Sequence, residues 1–182
     1  VGFNYRWLPA VRVAKKLVDQ GYIGKVMYYR GAYHEDWAKD PTFPLTWRFI
    51  RESAGPGVIG DVGAHIIDLS RFLVGEISRV CGVSRRFIGE RPLPEHLDKT
   101  GKVENEDAFA TILEFGSGAF GVVEASRTFA GRKNFLYFEV QGSDGLIMFD
   151  LNRLNELRVF TTTEEREKQG LKTIFVTDNV HP

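Results

Sequence analysis

The sequence is poor in cysteine and has no excess of charge of either sign. Its 182 residues include one cysteine, Cys81, which excludes an internal disulfide and a metal site built from several thiolates. Lysine and arginine number 24, as do aspartate and glutamate, so the net charge is zero. A neutral chain has no general attraction to nucleic acid or to an anionic membrane. We expect neither as a partner, and the unpaired cysteine favours a reducing cytoplasm.

The chain also lacks long apolar runs. No segment approaches the roughly 20 apolar residues of a membrane-spanning helix, and the N-terminus lacks the layout of a signal peptide. The length is typical of a single domain, which we place at residues 1–182. Because the chain starts at Val1 and ends without a recognisable cap, we expect it to be a piece of a longer protein.

Two helices are predicted in the first half. One extends over 9–21, between a proline and a glycine, and the other over about 58–74. A tyrosine-rich strand is predicted over 25–33, followed by a long loop that contains Pro41 and Pro44. Loops of this length often carry functional residues.

The second half is predicted to be β-structure. Tight turns at 116–118 and 143–145 join consecutive strands, which indicates antiparallel pairing. The segment Glu90 to Glu104 is polar and contains prolines, so it is predicted to be a loop. The fold class is therefore α+β, an open and mostly antiparallel sheet with helices on one face. The predicted strands are 79–88, 107–115, 119–127, 135–142, 146–151, 157–161 and 172–176.

Asp61 and His65 form the most informative pair. At positions i and i+4 of a helix they share one face, where the carboxylate could orient the imidazole ring and fix its tautomer. Asp68 extends that face, and the glycines at positions 55, 57, 60 and 63 leave space for a ligand. The alternative is a surface ion pair without a function.

Two other motifs carry less weight. Residues 55–60 match the G-x-G-x-x-G spacing of dinucleotide-binding turns, but neither a buried strand before them nor a βαβ unit after them is predicted. His34, Glu35 and Asp36 could be combined with Asp61 and His65 into a metal site. Adjacent residues of an extended chain point apart, however, so we predict no metal.

Several segments resemble the Gfo/Idh/MocA oxidoreductases, the family of glucose-fructose oxidoreductase and inositol dehydrogenase. The resemblance covers nearly the whole chain. It rests on Gly2-Phe3-Asn4-Tyr5-Arg6 followed by Pro9, on Gly21-Tyr22-Ile23-Gly24-Lys25-Val26, on Trp47-Arg48, and on Ala54-Gly55-Pro56-Gly57 leading into Asp61-Val62-Gly63-Ala64-His65.

The resemblance implies a two-domain enzyme. An N-terminal Rossmann domain would hold NAD or NADP, and this chain would be the C-terminal domain that supplies substrate contacts. Residues 1–8 would then be the last strand region of the missing Rossmann domain. The nucleotide-binding glycines and the family's catalytic lysine would lie upstream, so the fragment alone is not expected to turn over substrate.

The resemblance also implies roles for individual residues. His65 would be the general acid/base that takes the proton from a substrate hydroxyl, and Asp61 would orient it and stabilise charge. The cleft residues for a sugar or polyol substrate, or for the cofactor, would be Arg6, Trp47, Arg48, Asn4 and Tyr5. Two alternatives remain, a redox-assisted NAD-dependent glycosidase of the same fold and a non-catalytic oligomerisation module. A homo-oligomer would form through the open face of the sheet.

Overall fold

The computed structural model describes residues 2–182, and Val1 lies outside the described residues. Within that range it contains three α-helices, ten strands and four short 3-10 turns. The helices are α1 (Pro9–Asp19), α2 (Arg51–Ala54) and α3 (Val62–Val74). The strands are β1 (Val26–His34), β2 (Ile77–Arg85), β3 (Glu90–Leu93), β4 (His96–Lys102), β5 (Ala108–Phe115), β6 (Phe120–Ser126), β7 (Phe135–Gly142), β8 (Gly145–Asp150), β9 (Glu156–Thr161) and β10 (Lys172–Phe175).

Eight of the strands form one sheet in the order β10-β9-β8-β7-β1-β6-β5-β2. β1 lies inside the sheet, parallel to β6 and antiparallel to β7. Each of the other neighbouring pairs in this sheet is antiparallel. The predicted α+β fold with a mostly antiparallel sheet is therefore confirmed.

Helices α1 and α3 cover one face of the sheet, as predicted. α3 packs on β1 and β6, and α1 packs on β8 and β9. The contact between α3 and β1 depends on Gly31, where a Cβ atom would lie 2.7 Å from Cγ1 of Ile66. Because the helix can approach this closely, His65, which precedes Ile66 in α3, lies beside Tyr33 at the C-terminal end of β1.

The opposite face of the sheet is open and partly apolar. Val83, Ile112 and Phe120 lie on this face, and 60%, 56% and 52% of their surfaces respectively are exposed. On the helix-covered face, alternating residues of β5 such as Phe109 and Leu113 are buried in the core. The sheet thus carries apolar side chains on both faces, as the sequence indicated.

The predicted loop over 90–104 is wrong. β3 and β4 pair there as an antiparallel two-stranded sheet, with an irregularity between Pro92 and Leu93. Most of β4 is exposed and polar, so it lacks the alternation of apolar and polar residues by which a strand is recognised. The sequence alone therefore did not indicate the pairing of β3 with β4.

Two boundaries near the site also differ from the predictions. Residues 4–7 form a 3-10 turn, not a strand, with a hydrogen bond from the amide of Arg6 to the carbonyl oxygen of Phe3 (3.2 Å). α3 begins at Val62 and not at 58, because residues 57–61 form a turn in which the Asp61 amide bonds to the Gly57 carbonyl oxygen (3.0 Å). The connection of residues 1–8 to an upstream domain stays a prediction. Among the helices of residues 2–182, none has both the length and the apolar character needed to cross a membrane.

Candidate active site

His65 faces a cleft of about 490 Å³ between α3, the end of β1 and the long loop that follows β1. The cleft combines titratable groups with aromatic rings. Its lining residues are Tyr33, Glu35, Trp37, Phe43, Thr46, Arg48, Asp61, Val62 and His65. It therefore brings three of the predicted residues, Arg48, Asp61 and His65, to one place.

Aromatic rings hold the imidazole of His65 in position. The rings of Phe3 and Tyr5 meet it edge to face, at centroid distances of 6.0 and 5.1 Å, and Tyr33 lies 6.1 Å away. The two tyrosine hydroxyls hydrogen-bond each other (2.8 Å), and the Tyr33 hydroxyl donates to Oδ1 of Asn134 (2.8 Å). This chain of hydrogen bonds fixes the two tyrosine rings, which in turn restrict the histidine.

Asp61 does not orient His65 in the way the sequence predicted. No hydrogen bond between the two is found among the described residues, and Nδ1 of His65 is buried without a partner there. The reason is the late start of α3: Asp61 lies before the first helical residue with a ψ of −105°, so the i, i+4 geometry does not apply. Asp61 acts on the imidazole through its charge alone.

The pKa of His65 is lowered by burial, and the nearby charges of Asp61 and Asp68 oppose this shift. Burial is the larger effect because it removes water from the charged imidazolium. The imidazole is consequently neutral at neutral pH and able to accept a proton.

Two of the site glycines make room for the protein itself, not for a ligand. A Cβ atom on Gly57 would lie 2.4 Å from the carbonyl oxygen of Glu106, and one on Gly63 would lie 2.6 Å from Cε1 of Phe109. These contacts seat the start of α3 against the sheet. The expectation that they leave space for an approaching ligand is therefore wrong.

Arg6 is engaged by Asp68 and is absent from the cleft lining. Its Nε donates to Oδ2 of Asp68 over 2.7 Å, and the carboxylate is buried. The guanidinium also lies 4.9 Å from the ring centroid of Phe72. Asp68 therefore anchors the N-terminal 3-10 turn to α3 and does not extend the face that lines the cleft.

The remaining predicted residues occupy different places. Tyr5 contacts His65, whereas Asn4 is exposed and has no side-chain hydrogen bond within the described part of the chain. Trp47 lines a second cavity of about 150 Å³, which shares Arg48 and Asp61 with the main cleft. The Arg48 guanidinium lies 4.6 Å from the centroid of the Trp47 ring. Their roles toward substrate or cofactor stay predictions.

The sequence interpretation missed Glu35 and Trp37 as cleft residues. The indole Nε1 of Trp37 donates to Oε2 of Glu35 (2.9 Å), which fixes both side chains on the cleft wall. Burial raises the pKa of Glu35, and the charge of Asp61 adds to that shift. Their position in a long loop after a strand was the available signal.

The two motifs that carry less weight can also be located in the structure. His34 faces the open side of the sheet, where its Nε2 lies 3.2 Å from Oε1 of Glu124, while Glu35 faces the cleft. Gly55, with a φ of 68°, terminates α2, so a helix and not a buried strand precedes the G-x-G-x-x-G segment. The local structure does not fit a dinucleotide-binding turn.

A larger concavity, of about 700 Å³, lies on the open face of the sheet. It contains His34 and Glu124 but is separated from His65 by the sheet. The smaller cleft is the candidate site because it combines an imidazole, two carboxylates and an arginine within one cavity.

Comparison with known proteins gives consistent matches. The model of the GFO/IDH/MocA C-terminal domain matches residues 11–148. The chain is 40% identical to levoglucosan dehydrogenase of Pseudarthrobacter phenanthrenivorans over 193 residues, which cover 100% of the chain and 49% of that protein. It is 35% identical to scyllo-inositol 2-dehydrogenase (NAD(+)) of Bacillus subtilis over 162 residues, 88% of the chain and 42% of that protein.

Solved structures share the fold. Levoglucosan dehydrogenase in complex with NADH and levoglucosan superimposes with a TM-score of 0.94 at 42% identity, covering 99% of the chain and 47% of that structure. The chain thus spans about half the length of the curated relatives it matches.

Proposed function

The chain belongs to the Gfo/Idh/MocA family as its C-terminal domain, and we propose that it is the substrate-binding domain of an NAD(P)-dependent dehydrogenase. The substrate would be a sugar or a polyol. The observation that carries the proposal is the cleft, where a neutral His65 lies among groups suited to a polyhydroxylated molecule. The similarity to levoglucosan and inositol dehydrogenases supports the same substrate class.

The side chains of this domain would position the substrate and move the proton. His65 takes the proton of the hydroxyl group that is oxidised, and the negative charge of Asp61 stabilises the resulting imidazolium. Glu35 and Arg48 can hydrogen-bond further hydroxyl groups, and the ring of Trp37 can pack on an apolar face of the sugar. The roles predicted for Tyr5, Asn4, Trp47 and Arg6 are supported only by the family resemblance and, for Tyr5, by its contact with His65.

NAD or NADP, when bound, would accept the hydride from the carbon that carries this hydroxyl. The cleft offers the proton acceptor that such an oxidation requires, but the glycine segment at 55–60 has no strand before it and does not fit a dinucleotide. We therefore propose that an upstream Rossmann domain, joined through residues 1–8, holds the cofactor.

The open face of the sheet is proposed as the surface through which the enzyme forms a homo-oligomer. Its exposed apolar side chains, Val83, Ile112 and Phe120, support this assignment because such a patch is costly to leave in water. Sedimentation of the full-length protein should show an oligomer that Ile112→Glu dissociates. A wild-type monomer at all concentrations would contradict the proposal.

The single cysteine supports a cytoplasmic location for the protein.

The test of the proposed function is nicotinamide absorbance with the full-length protein and its His65→Ala variant, over a panel of sugars and polyols with each cofactor. Reduction of the cofactor by the wild type and not by the variant is expected. Release of free sugar from a glycoside without net change in absorbance would favour the glycosidase of the same fold. A stable oligomer that binds no cofactor and no sugar would favour the assembly module.

A further inference from the structure

The hairpin formed by β3 and β4 inserts a buried arginine beneath the loop that forms the cleft wall. Arg91 of β3 has no exposed surface. Its guanidinium donates to three backbone carbonyl oxygens of that loop, to Ala38 at 2.5 Å, Asp40 at 2.7 Å and Phe43 at 3.3 Å. These three carbonyls belong to a segment without helix or strand, so the arginine supplies donors that regular structure does not.

Arg91 also contacts Phe49 in the 3-10 turn that ends the same loop. Its guanidinium carbon lies 4.3 Å from the Phe49 ring centroid, and that of Arg127 lies 4.6 Å from it. The ring is fully buried. Both arginines therefore hold the turn through cation-π contacts, which are stronger when water is excluded.

The two arginines differ in how their charge is compensated. Arg127 forms a buried ion pair with Asp107, at 2.9 Å, and a hydrogen bond with Oδ1 of Asn105 at 2.9 Å. Arg91 has no ion pair among residues 2–182, and its Nε is buried without a hydrogen-bond partner there. The carboxylates of Asp107 and Asp40 favour its charged form through their charge, without an ion-pair contact. A buried cation whose hydrogen bonds go only to carbonyl groups is a costly way to stabilise a fold.

The segment that Arg91 holds carries the wall of the cleft. Phe43, Thr46 and Arg48 line the cleft, and all three follow or flank the carbonyls that Arg91 binds. The hairpin is attached to the same segment a second time, by a hydrogen bond from the Leu45 amide to the Pro92 carbonyl oxygen (2.7 Å). Movement of the hairpin would thus move the wall that faces His65.

We propose that Arg91 is a positioning residue for the substrate cleft, which fixes the loop 38–49 so that its side chains meet the sugar. It touches neither substrate nor cofactor. The role suits arginine because its planar guanidinium can donate hydrogen bonds to several carbonyl groups at once, whereas the lysine ammonium is a compact point charge. The inference rests on the proposed function, since it assigns the held wall to sugar binding.

The test compares the full-length wild type with Arg91→Lys and Arg91→Met, with Arg153→Met as the control. Arg153 forms an exposed ion pair with Glu156 and is absent from the cleft lining. We expect Arg91→Met to raise the KM for the sugar about tenfold or more, as the loss of the contacts that hold the wall implies. kcat and the Kd of the cofactor should change much less, Arg91→Lys should be intermediate, and Arg153→Met should match the wild type.

Amide hydrogen exchange of the same proteins gives a readout that does not depend on activity. Residues 38–46 should exchange faster in both Arg91 variants, while β5 and β6 keep their protection. If Arg91→Met lost kcat, sugar binding, cofactor binding and Tm to the same extent, Arg91 would be a merely structural residue and the proposal would be overturned. The proposal would also be overturned if Arg91→Met had the same amide exchange and the same KM as the wild type. If the wild type oxidises no sugar, the proposed dehydrogenase fails, and unchanged exchange in Arg91→Lys and Arg91→Met would separately show that Arg91 does not hold the loop.

Discussion

Each face of the sheet presents a histidine, and the two differ in how their rings are surrounded although their pKa shifts have the same direction. His34 lies on the open face and His65 on the helix-covered face. Both have a buried Nδ1 atom without a hydrogen-bond partner among the described residues. In both, burial is the main cause of a lowered pKa, and neighbouring carboxylates oppose it.

The surroundings of the two rings differ. His34 is stacked on Phe129, with centroids 4.4 Å apart, and its Nε2 is paired with Glu124. His65 meets its aromatic neighbours mainly through ring edges, has no ion-pair contact within residues 2–182, and faces a cleft. A lowered pKa alone therefore does not identify a catalytic base. The two differ in that His65 lines a cleft with two carboxylates, whereas Nε2 of His34 is already paired with Glu124.

Replacement of either histidine gives the largest expected contrast. His65→Ala in the full-length enzyme should lower kcat by about 100-fold to 10,000-fold, because the proton acceptor is lost, and should leave cofactor binding intact. His34→Ala should retain most of the turnover. Steady-state kinetics and cofactor titration check both variants. Similar activities of the two variants would contradict the distinction between the faces.

Asp61→Asn tests whether the carboxylate acts on His65 through its charge. The imidazole must be neutral to accept a proton, so kcat/KM should fall as the pH drops below a pKa that lies under the ordinary value of 6.5. Since the charge of Asp61 raises this pKa, its removal should move the acidic limb to lower pH. The rate at the plateau should fall on the order of tenfold, which corresponds to about 1.4 kcal/mol.

The matched control for Asp61 is Glu124→Gln, which removes the carboxylate beside His34. Its pH profile for kcat/KM should coincide with that of the wild type. A shift of the acidic limb in Glu124→Gln, or an unshifted limb in Asp61→Asn, would contradict the assignment of Asp61 to His65.

Tyr33→Phe removes the hydroxyl that links Tyr5 to Asn134 and keeps the ring beside His65. The loss of this link should loosen the aromatic support and lower kcat a few-fold, with about 1 kcal/mol less stability, as for one hydrogen bond. Tyr137→Phe is the control, because its hydroxyl bonds to Glu139 away from the cleft. Kinetics and denaturant unfolding measure both effects. Equal kcat values for the two variants would show that the hydroxyl chain does not support His65.

The smallest effect concerns His34 and stability. Because its pKa is lower in the folded chain, the unfolded chain binds more protons below pH 6.5, and stability should decrease as the pH falls through that value. His34→Gln should make this decrease smaller. For a chain of this length, each kcal/mol of unfolding free energy corresponds to about 2–4 °C in Tm. Thermal unfolding between pH 5 and pH 8 measures it. An unchanged pH dependence in the variant would show that His34 does not contribute.

The sequence predicted the parts of the fold that local patterns determine. The apolar periodicity of α1 and α3 located both helices, and the glycine turns at 116–118 and 143–145 located two hairpins. The paired strands at 90–102 were missed because their exposed residues have no apolar pattern, and their one buried arginine is held by contacts with residues 38–43. Contacts between segments distant in sequence are not encoded in local periodicity.

Sequence patterns predicted some of the residues that line the candidate site but not its geometry. His65 and Arg48 line the cleft as expected, but the start of α3 depends on how residues 57 and 63 pack on the sheet. That packing places Asp61 outside the helix, so aromatic neighbours and not Asp61 hold the imidazole in position. The pairing of Arg6 with Asp68 likewise joins two segments whose contact no local pattern indicates.

The position of β1 inside the sheet has a consequence for biosynthesis. Both of its neighbours, β6 and β7, come from the second half of the chain. During translation β1 therefore remains unpaired until residues 120–142 have left the ribosome. Until then α3 also lacks the strands of the sheet on which it packs. The candidate cleft is therefore assembled late, and limited proteolysis of ribosome-bound chains that stop before residue 120 should cut readily within residues 26–74.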